Sequence, residues 1–170
     1  MKLLIPLLFI FMAIQLPAQI NLVEKNDCDF TVDSLRIDFN RSNRLSTYFY
    51  KGERYTGCAK QDVPKNEMYY IHFIKDGLLE RQLGFYYNGQ KCRDYVFKNG
   101  YPHGVLRLFY PDGSLYIREE YENGTLHGSL KRWKEGKLVR EANFWYGSMV
   151  SEKLYDPKTG KEIVGDKKKD

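Results

Sequence analysis

The segment Phe97–Gly128, FKNGYPHGVLRLFYPDGSLYIREEYENGTLHG, is the most informative part of this chain about its fold. It contains one layout twice, at Phe97–Gly104 and at Tyr121–Gly128: an aromatic residue, a spacer, Asn-Gly, two spacers and His-Gly. A further turn dipeptide, Asp112-Gly113, stands between the two copies. Because Asn-Gly and Asp-Gly tolerate the positive φ angles of tight hairpin turns, the stretch predicts strands joined by short turns.

A regular spacing of about 12 residues extends over most of the chain in two independent residue classes. Glycines recur at intervals of 11 to 13 residues, at Gly77, Gly89, Gly100, Gly113, Gly124, Gly136, Gly147 and Gly160. Aromatic residues recur at intervals of 11 or 12, at Phe73, Phe85, Phe97, Phe109, Tyr121, Trp133, Phe144 and Tyr155. A period shared by two residue classes indicates a repeat architecture.

The segments between the turns have the composition of strands. Aromatic residues, which favour strands, make up 15% of the chain, and runs such as Leu115–Tyr121 fill the space between glycines. Three arginines alternate with apolar neighbours: Arg107, Arg118 and Arg132. This alternation predicts strands with one wet face and one apolar face. We therefore expect an all-β fold, an antiparallel β-meander of hairpin repeats from about Thr31 to Ile163.

The repeated layout, followed by an aromatic residue and an acidic-Gly turn, resembles the MORN-repeat variant family, whose members are often described as antitoxin-like. Tyr50–Gly57 is similar to a divergent opening unit, and the resemblance covers about Tyr48 to Ile163. Leu79-Glu80 and Val150-Ser151 replace His-Gly in two of the units. The resemblance implies an elongated single-layer sheet. It also implies a scaffold, a membrane-proximal module or an antitoxin, because one repeat fold serves several functions.

The rest of the chain divides around the repeats. We expect a signal peptide at 1–18, a capping segment at 19–47, the MORN-like repeat domain at 48–163 and a disordered basic tail at 164–170. The apolar run Leu3–Ile14 is shorter than the roughly 20 residues that span a bilayer, and Ala18 offers a small residue for cleavage. The first cysteine is Cys28, which argues against a lipid anchor. Within the cap, Phe30–Phe39 is predicted to be a strand. The expected location is the periplasm or the cell exterior.

The net charge and the cysteines further limit the partners and covalent links that we expect. The net charge is +5, with both signs interleaved along the repeats, so nucleic acid is not an expected partner. The three cysteines, Cys28, Cys58 and Cys92, have no compact metal-site spacing. In an oxidising compartment two of them can form a disulfide and leave one free thiol, and we favour the pair Cys28–Cys58. Three isolated thiols are the alternative.

Catalytic and metal chemistry have little support. No nucleophile elbow, phosphate loop or zinc-protease motif is present. His103 and His127 hold equivalent repeat positions, two strands or roughly 10 Å apart, whereas zinc ligands lie about 2.1 Å from the ion. Each histidine is expected to pack or hydrogen-bond at its own turn. Glu119 and Glu120 are adjacent on a strand and point to opposite faces. We expect no enzyme activity, cofactor or bound metal.

A thin sheet cannot bury both faces, so some of its aromatic surface should be available to a partner. Binding energy on such surfaces concentrates in a few aromatic residues and arginines. The candidates are Tyr86, Arg107, Tyr110, Tyr116, Arg118, Arg132 and Trp145. The expected partner is a protein, with a toxin as a special case. The alternative is a cell-envelope module that binds glycan or lipid headgroups through its aromatic and basic residues. The sequence does not indicate which face each candidate occupies.

Overall fold

The computed structural model describes residue 28 and residues 30–163, and the predicted signal peptide and basic tail lie outside this part of the chain. Within it the fold is all-β, as predicted, with fourteen strands and two short 3-10 turns, Val32–Ser34 and Pro64–Asn66. No α-helix occurs among the described residues, and so none there is long and apolar enough to cross a bilayer.

The strands follow one another along the chain with short connections. They are β1 Phe30–Thr31, β2 Arg36–Asn40, β3 Leu45–Tyr50, β4 Glu53–Arg54, β5 Gly57–Val63, β6 Met68–Lys75, β7 Leu78–Tyr86, β8 Lys91–Lys98, β9 Tyr101–Pro102, β10 Gly104–Phe109, β11 Leu115–Glu122, β12 Thr125–Lys134, β13 Lys137–Trp145 and β14 Ser148–Leu154.

One long sheet contains most of these strands. Its order is β1-β5-β6-β7-β8-β10-β11-β12-β13-β14, with β9 paired to β8. Every pairing is antiparallel except that of β1 with β5, and sequence neighbours are sheet neighbours through the repeats. The sheet does not close on itself. The predicted antiparallel meander is therefore confirmed.

The turns alternate between the two sides of the sheet at which the strands end, and each side is called an edge here. One edge, here the histidine edge, carries Asp76-Gly77, Asn99-Gly100, Asn123-Gly124 and Tyr146-Gly147, and both residues of each turn have positive φ. The other, the tyrosine edge, carries the turns at 88–89, 112–113 and 135–136. At Gly89 and Gly113 only the glycine has positive φ, which is typical of a turn that ends in a β-bulge. At Glu135-Gly136 both residues have positive φ, as on the histidine edge. One repeat is thus two strands and two turns, about 24 residues.

A second, smaller sheet covers one end of the long one. Strands β2, β3 and β4 form this sheet, and the buried Tyr48 on β3 packs in one cluster with side chains of the long sheet. The other buried members of the cluster are Val32, Leu35, Tyr55, Ala59 and Ile74. The small sheet is an addition to the long sheet that the resemblance implied, and these apolar side chains pack where the two sheets meet.

The predicted capping strand at Phe30–Phe39 is also wrong as a single element. The chain forms β1 along β5, turns at Val32–Ser34 and then enters the small sheet as β2. The turn buries Val32 and Leu35 together, which a continuous strand would not allow. The disulfide Cys28–Cys58 fastens this segment to β5, and Cys92 is a buried free thiol. The favoured cysteine pairing is confirmed.

The two faces of the long sheet differ in character. Residues directly opposite each other on paired strands share a face. On the front face a row of opposite residues crosses four strands: Arg93, Leu108, Ile117 and Arg132. Beside it on the same face are the buried side chains of Leu106, Leu130 and Ala142. The back face carries several ion pairs, among them Lys131 with Glu141 at 2.8 Å, and the front face also carries one, Arg140 with Glu152 at 2.7 Å.

Candidate binding surface

The structure separates the seven predicted binding residues into three places. Four of them are half-buried and lie together on the front face beside the tyrosine edge: Tyr86, Tyr110, Tyr116 and Arg132. Arg107 and Arg118 stand opposite each other on the back face. Trp145 lies at the histidine edge near the last strand and is 63% exposed. The seven candidates therefore do not form a single surface, and the three arginines do not share one face of the sheet.

The position of Arg132 has a simple cause. A shift of one residue along a strand moves a side chain to the other face. The residue 24 positions after Arg107 is Lys131, which lies on the back face opposite Arg118. Arg132 follows it and lies on the front face, opposite Ile117.

Two of the clustered tyrosines also hold the repeats together. The Tyr86 hydroxyl donates to the carbonyl oxygen of Phe109 at 2.8 Å, and the Tyr110 hydroxyl donates to that of Trp133 at 3.0 Å. The two bonds are the same contact one repeat apart. Burial is the first cause that raises the pKa of both hydroxyls, so each stays a proton donor at neutral pH. These two hydrogen bonds fix the orientation of both rings.

Around this cluster the front face forms a shallow groove of about 210 Å³. Its lining includes Tyr70, Tyr86, Cys92, Arg93, Leu108 and Tyr116. Tyr110 packs against Tyr116 with ring centroids 4.8 Å apart, and the Arg132 guanidinium carbon lies 5.8 Å from the Tyr116 centroid. We call this groove, together with Arg132 beside it, the tyrosine–arginine groove, defined by Tyr70, Tyr86, Arg93, Tyr116 and Arg132.

Gly84 has no side chain, and this leaves room for Cys92 and Tyr70 at the floor of the groove. A Cβ atom on Gly84 would lie 2.7 Å from the Cys92 sulfur and 2.8 Å from Tyr70 Cδ1. Tyr70, Cys92 and Arg93 were not among the predicted residues. The strand alternation of β6 would have placed Tyr70 on one face with His72, but a β-bulge in the pairing of β7 with β8 obscures the alternation near Cys92.

The two arginines of the groove have no carboxylate partner within 4.0 Å among the described residues. Arg93 lies 4.7 Å from the ring centroids of both Tyr70 and Tyr95, and it donates to the Gln82 side-chain oxygen at 2.9 Å. Arg132 has a buried Nε that finds no acceptor in the described part of the chain.

On the back face, by contrast, most basic groups are neutralised. Arg81 donates two hydrogen bonds of 3.1 Å to the Asp94 carboxylate, which also receives Lys91. Arg118 contacts Glu120 at 2.6 Å. Arg107 on β10 lies directly opposite Asp94 on β8. Among the described residues Arg93 and Arg132 form no ion pair, whereas Arg140, which lies opposite Arg132 on the same face, is paired with Glu152.

The equivalent histidines of the repeat serve the turns. His103 Nδ1 accepts from the backbone N–H of Asn123, and His127 Nδ1 accepts from that of Tyr146, each at 3.4 Å. Thr56 does the same for Asp76 at 2.9 Å. The expectation that each histidine bonds at its own turn is wrong, because each one contacts the next turn along the edge. No group of three potential metal ligands occurs in the part of the chain that the structure describes.

His72 is the histidine whose role the sequence left open. It is 4% exposed and lies beneath Tyr48 of the small sheet, with ring centroids 6.4 Å apart. Its Nε2 is 3.1 Å from the Gln61 oxygen, and its Nδ1 is 3.4 Å from the Gln82 nitrogen. Burial, and then the charge of Arg93, lower the pKa of His72 from 6.5 to about 4. The ring is therefore neutral at physiological pH.

Comparison with known proteins adds no relative to this description. No protein-family model matches the chain. No curated protein matches it either.

Proposed function

We propose that this protein is an exported, non-catalytic repeat module of the MORN-like type that binds a protein partner through the tyrosine–arginine groove. One observation carries the proposal: Tyr86, Tyr110, Tyr116 and Arg132 converge on one face, next to guanidinium groups without a carboxylate partner. Aromatic residues and arginines in partly buried settings are the side chains that dominate binding energy at protein interfaces. Neutralisation of a toxin is a special case of this function.

Other features support the same proposal. The repeat histidines are engaged by turn N–H groups and His72 is buried, which favours structural roles for all three. The disulfide Cys28–Cys58 suits an oxidising compartment, in keeping with the predicted export. Two tyrosine hydroxyls bonded to backbone carbonyls keep the groove rigid, so little entropy is lost when a partner binds.

A second candidate function is favoured by the histidine edge. Trp145 and Tyr146 are 63% and 55% exposed, and together with His127 they form an aromatic cluster with centroid distances of 4.4 to 5.2 Å. Exposed aromatic rings are a surface on which the apolar side of a sugar ring can pack. A glycan-binding role would use this edge and not the groove.

The two candidates are separated by variants on different surfaces. The full chain, tagged at its C-terminus, is used to capture partners from extracts of the source cells and of their surroundings. We expect Tyr116→Ala and Arg132→Gln to reduce capture of a specific protein at least tenfold. Arg107→Gln on the back face is the matched control and should leave capture unchanged. Equal capture by all three variants would refute the groove as the binding surface, and loss of glycan retention in Trp145→Ala would favour the second candidate.

A further inference from the structure

The two arginines of the groove stand at a fixed separation. Arg93, Leu108, Ile117 and Arg132 are successive opposite residues on β8, β10, β11 and β12. Strands lie about 4.8 Å apart, so three spacings place the arginines roughly 14 Å from each other. This is the separation of their backbone positions; the Arg93 guanidinium lies over the rings of Tyr70 and Tyr95, and that of Arg132 lies towards Tyr116.

The surface between the arginines is apolar. Leu108 is half-buried and Ile117 is buried, and neither carries a polar side-chain atom. Tyr86 and Tyr116 line the same groove, and their rings add apolar area. The row therefore alternates in chemistry: cation, apolar floor, cation.

An extended peptide has the matching period. A strand rises about 3.4 Å per residue and alternate side chains share a face, so residues i and i+4 project the same way roughly 14 Å apart. Residue i+2 lies midway between them. A carboxylate at each outer position would meet a guanidinium, and an apolar side chain at the centre would cover Leu108 and Ile117. Arginine is suited to this task because its planar donors match a carboxylate.

We propose that the groove receives an extended acidic segment of the partner protein, with the pattern acidic–x–apolar–x–acidic. This inference rests on the proposed function and specifies the chemistry of the partner. Charge complementarity supports it, since Arg93 and Arg132 form no ion pair within 4.0 Å among the described residues and the buried Nε of Arg132 has no acceptor there. An anionic membrane surface presents no such spacing of two charges about an apolar side chain.

The test uses three fluorescein-labelled peptides and fluorescence anisotropy on the full chain. The matched probe is TETITET, the uncharged probe is TQTITQT, and the mis-spaced probe TTEEITT has the composition of the first. We expect the matched probe to bind about tenfold more tightly than the uncharged one and several-fold more tightly than the mis-spaced one. Arg132→Gln should remove this preference, Arg132→Lys should retain part of it, and Arg107→Gln should leave it unchanged.

Circular dichroism and thermal melting establish that each variant is folded, and Arg132→Lys carries the test if Arg132→Gln is not. Equal binding of the three probes would overturn the inference, and so would equal loss in Arg107→Gln. Binding to vesicles that contain phosphatidylserine, without binding of the matched probe, would overturn it in favour of a membrane. If partner capture depends on Arg132 while the probes do not discriminate, the acidic segment is refuted and the proposed function stands. If Arg132→Gln leaves capture of the partner protein unchanged, the proposed function itself is refuted.

Discussion

Acidification should release the contact between the two sheets through His72. The ring is buried beneath Tyr48 and bonded to Gln61 and Gln82, and burial lowers its pKa from 6.5 to about 4. In the unfolded chain the imidazole takes up a proton near pH 6.5, whereas in the folded chain it does so only near pH 4. Between these values the unfolded state binds more protons, so stability falls as the pH falls. The contribution of the neutral His72 ring to stability is fully present above pH 6.5.

The size of the effect follows from the two pKa values. Their difference corresponds to about 3 kcal/mol of folding free energy over the whole window, since each pKa unit is worth about 1.4 kcal/mol. Between pH 7 and pH 5 the expected loss is about 2 kcal/mol, because the folded ring is still mostly neutral at pH 5. Carboxylates with lowered pKa values, such as that of Glu120, contribute their own loss only further down the pH scale.

Urea unfolding of the full chain at pH 7, 6 and 5, followed by circular dichroism, measures this loss directly. His72→Gln removes the titrating group and should flatten the dependence between pH 7 and pH 5. Arg107→Gln on the back face, which removes no histidine, is the control, and it should keep the slope of the parent chain. A His72→Gln variant with an unchanged slope would refute the assignment of the pH dependence to this ring.

Three further predictions concern the repeat and its cap. Cys28→Ser should lower the free energy of unfolding by about 2 to 4 kcal/mol by opening a loop of 30 residues, and reduction of the parent chain should reproduce the loss in urea titrations. Gly124→Ala should lower the free energy of unfolding by about 1 to 2 kcal/mol, because φ is +84° and the new Cβ would lie 3.2 Å from the ring of Tyr101. Gly136→Ala should lower it less, because φ is +73° but no atom lies within 4 Å of the new Cβ. Equal losses in the two variants would mean that the tyrosine ring moves aside without cost. His127→Ala should cost about 1 kcal/mol and accelerate hydrogen exchange at the Tyr146 amide, and an unchanged exchange rate would contradict the turn contact.

The fold was largely predictable because turns and strands follow local rules. Asn99-Gly100 and Asn123-Gly124 adopt positive φ at both residues, as such dipeptides do in hairpins. The period does not reveal that the turns at Gly89 and Gly113 are of another kind, because the difference lies in the φ of the preceding residue. The small sheet was missed since its packing depends on long-range contacts of Tyr48, which no local pattern encodes.

The candidate site was predictable only in part. Aromatic and arginine content indicated which residue types would bind, but the face of each side chain depends on counting residues through β-bulges. The pairing of β11 with β12 shifts between Glu119 and Tyr121, and that of β12 with β13 shifts between Arg132 and Trp133. Such shifts are set by neighbouring strands and are not visible in one strand's own sequence.

The two ends of the long sheet are unequal, and this limits how copies of the protein can associate. At one end the two-residue strand β1, tied by its disulfide and backed by the small sheet, leaves little edge for another chain to pair with. At the other end β14 is exposed along its whole length, with Met149, Val150 and Leu154 open to solvent. Within the described residues, the β14 end therefore offers more strand for a second molecule to pair with than the β1 end. Pairing through two β14 strands about a two-fold axis would use up this edge, whereas a filament would need pairing at both ends.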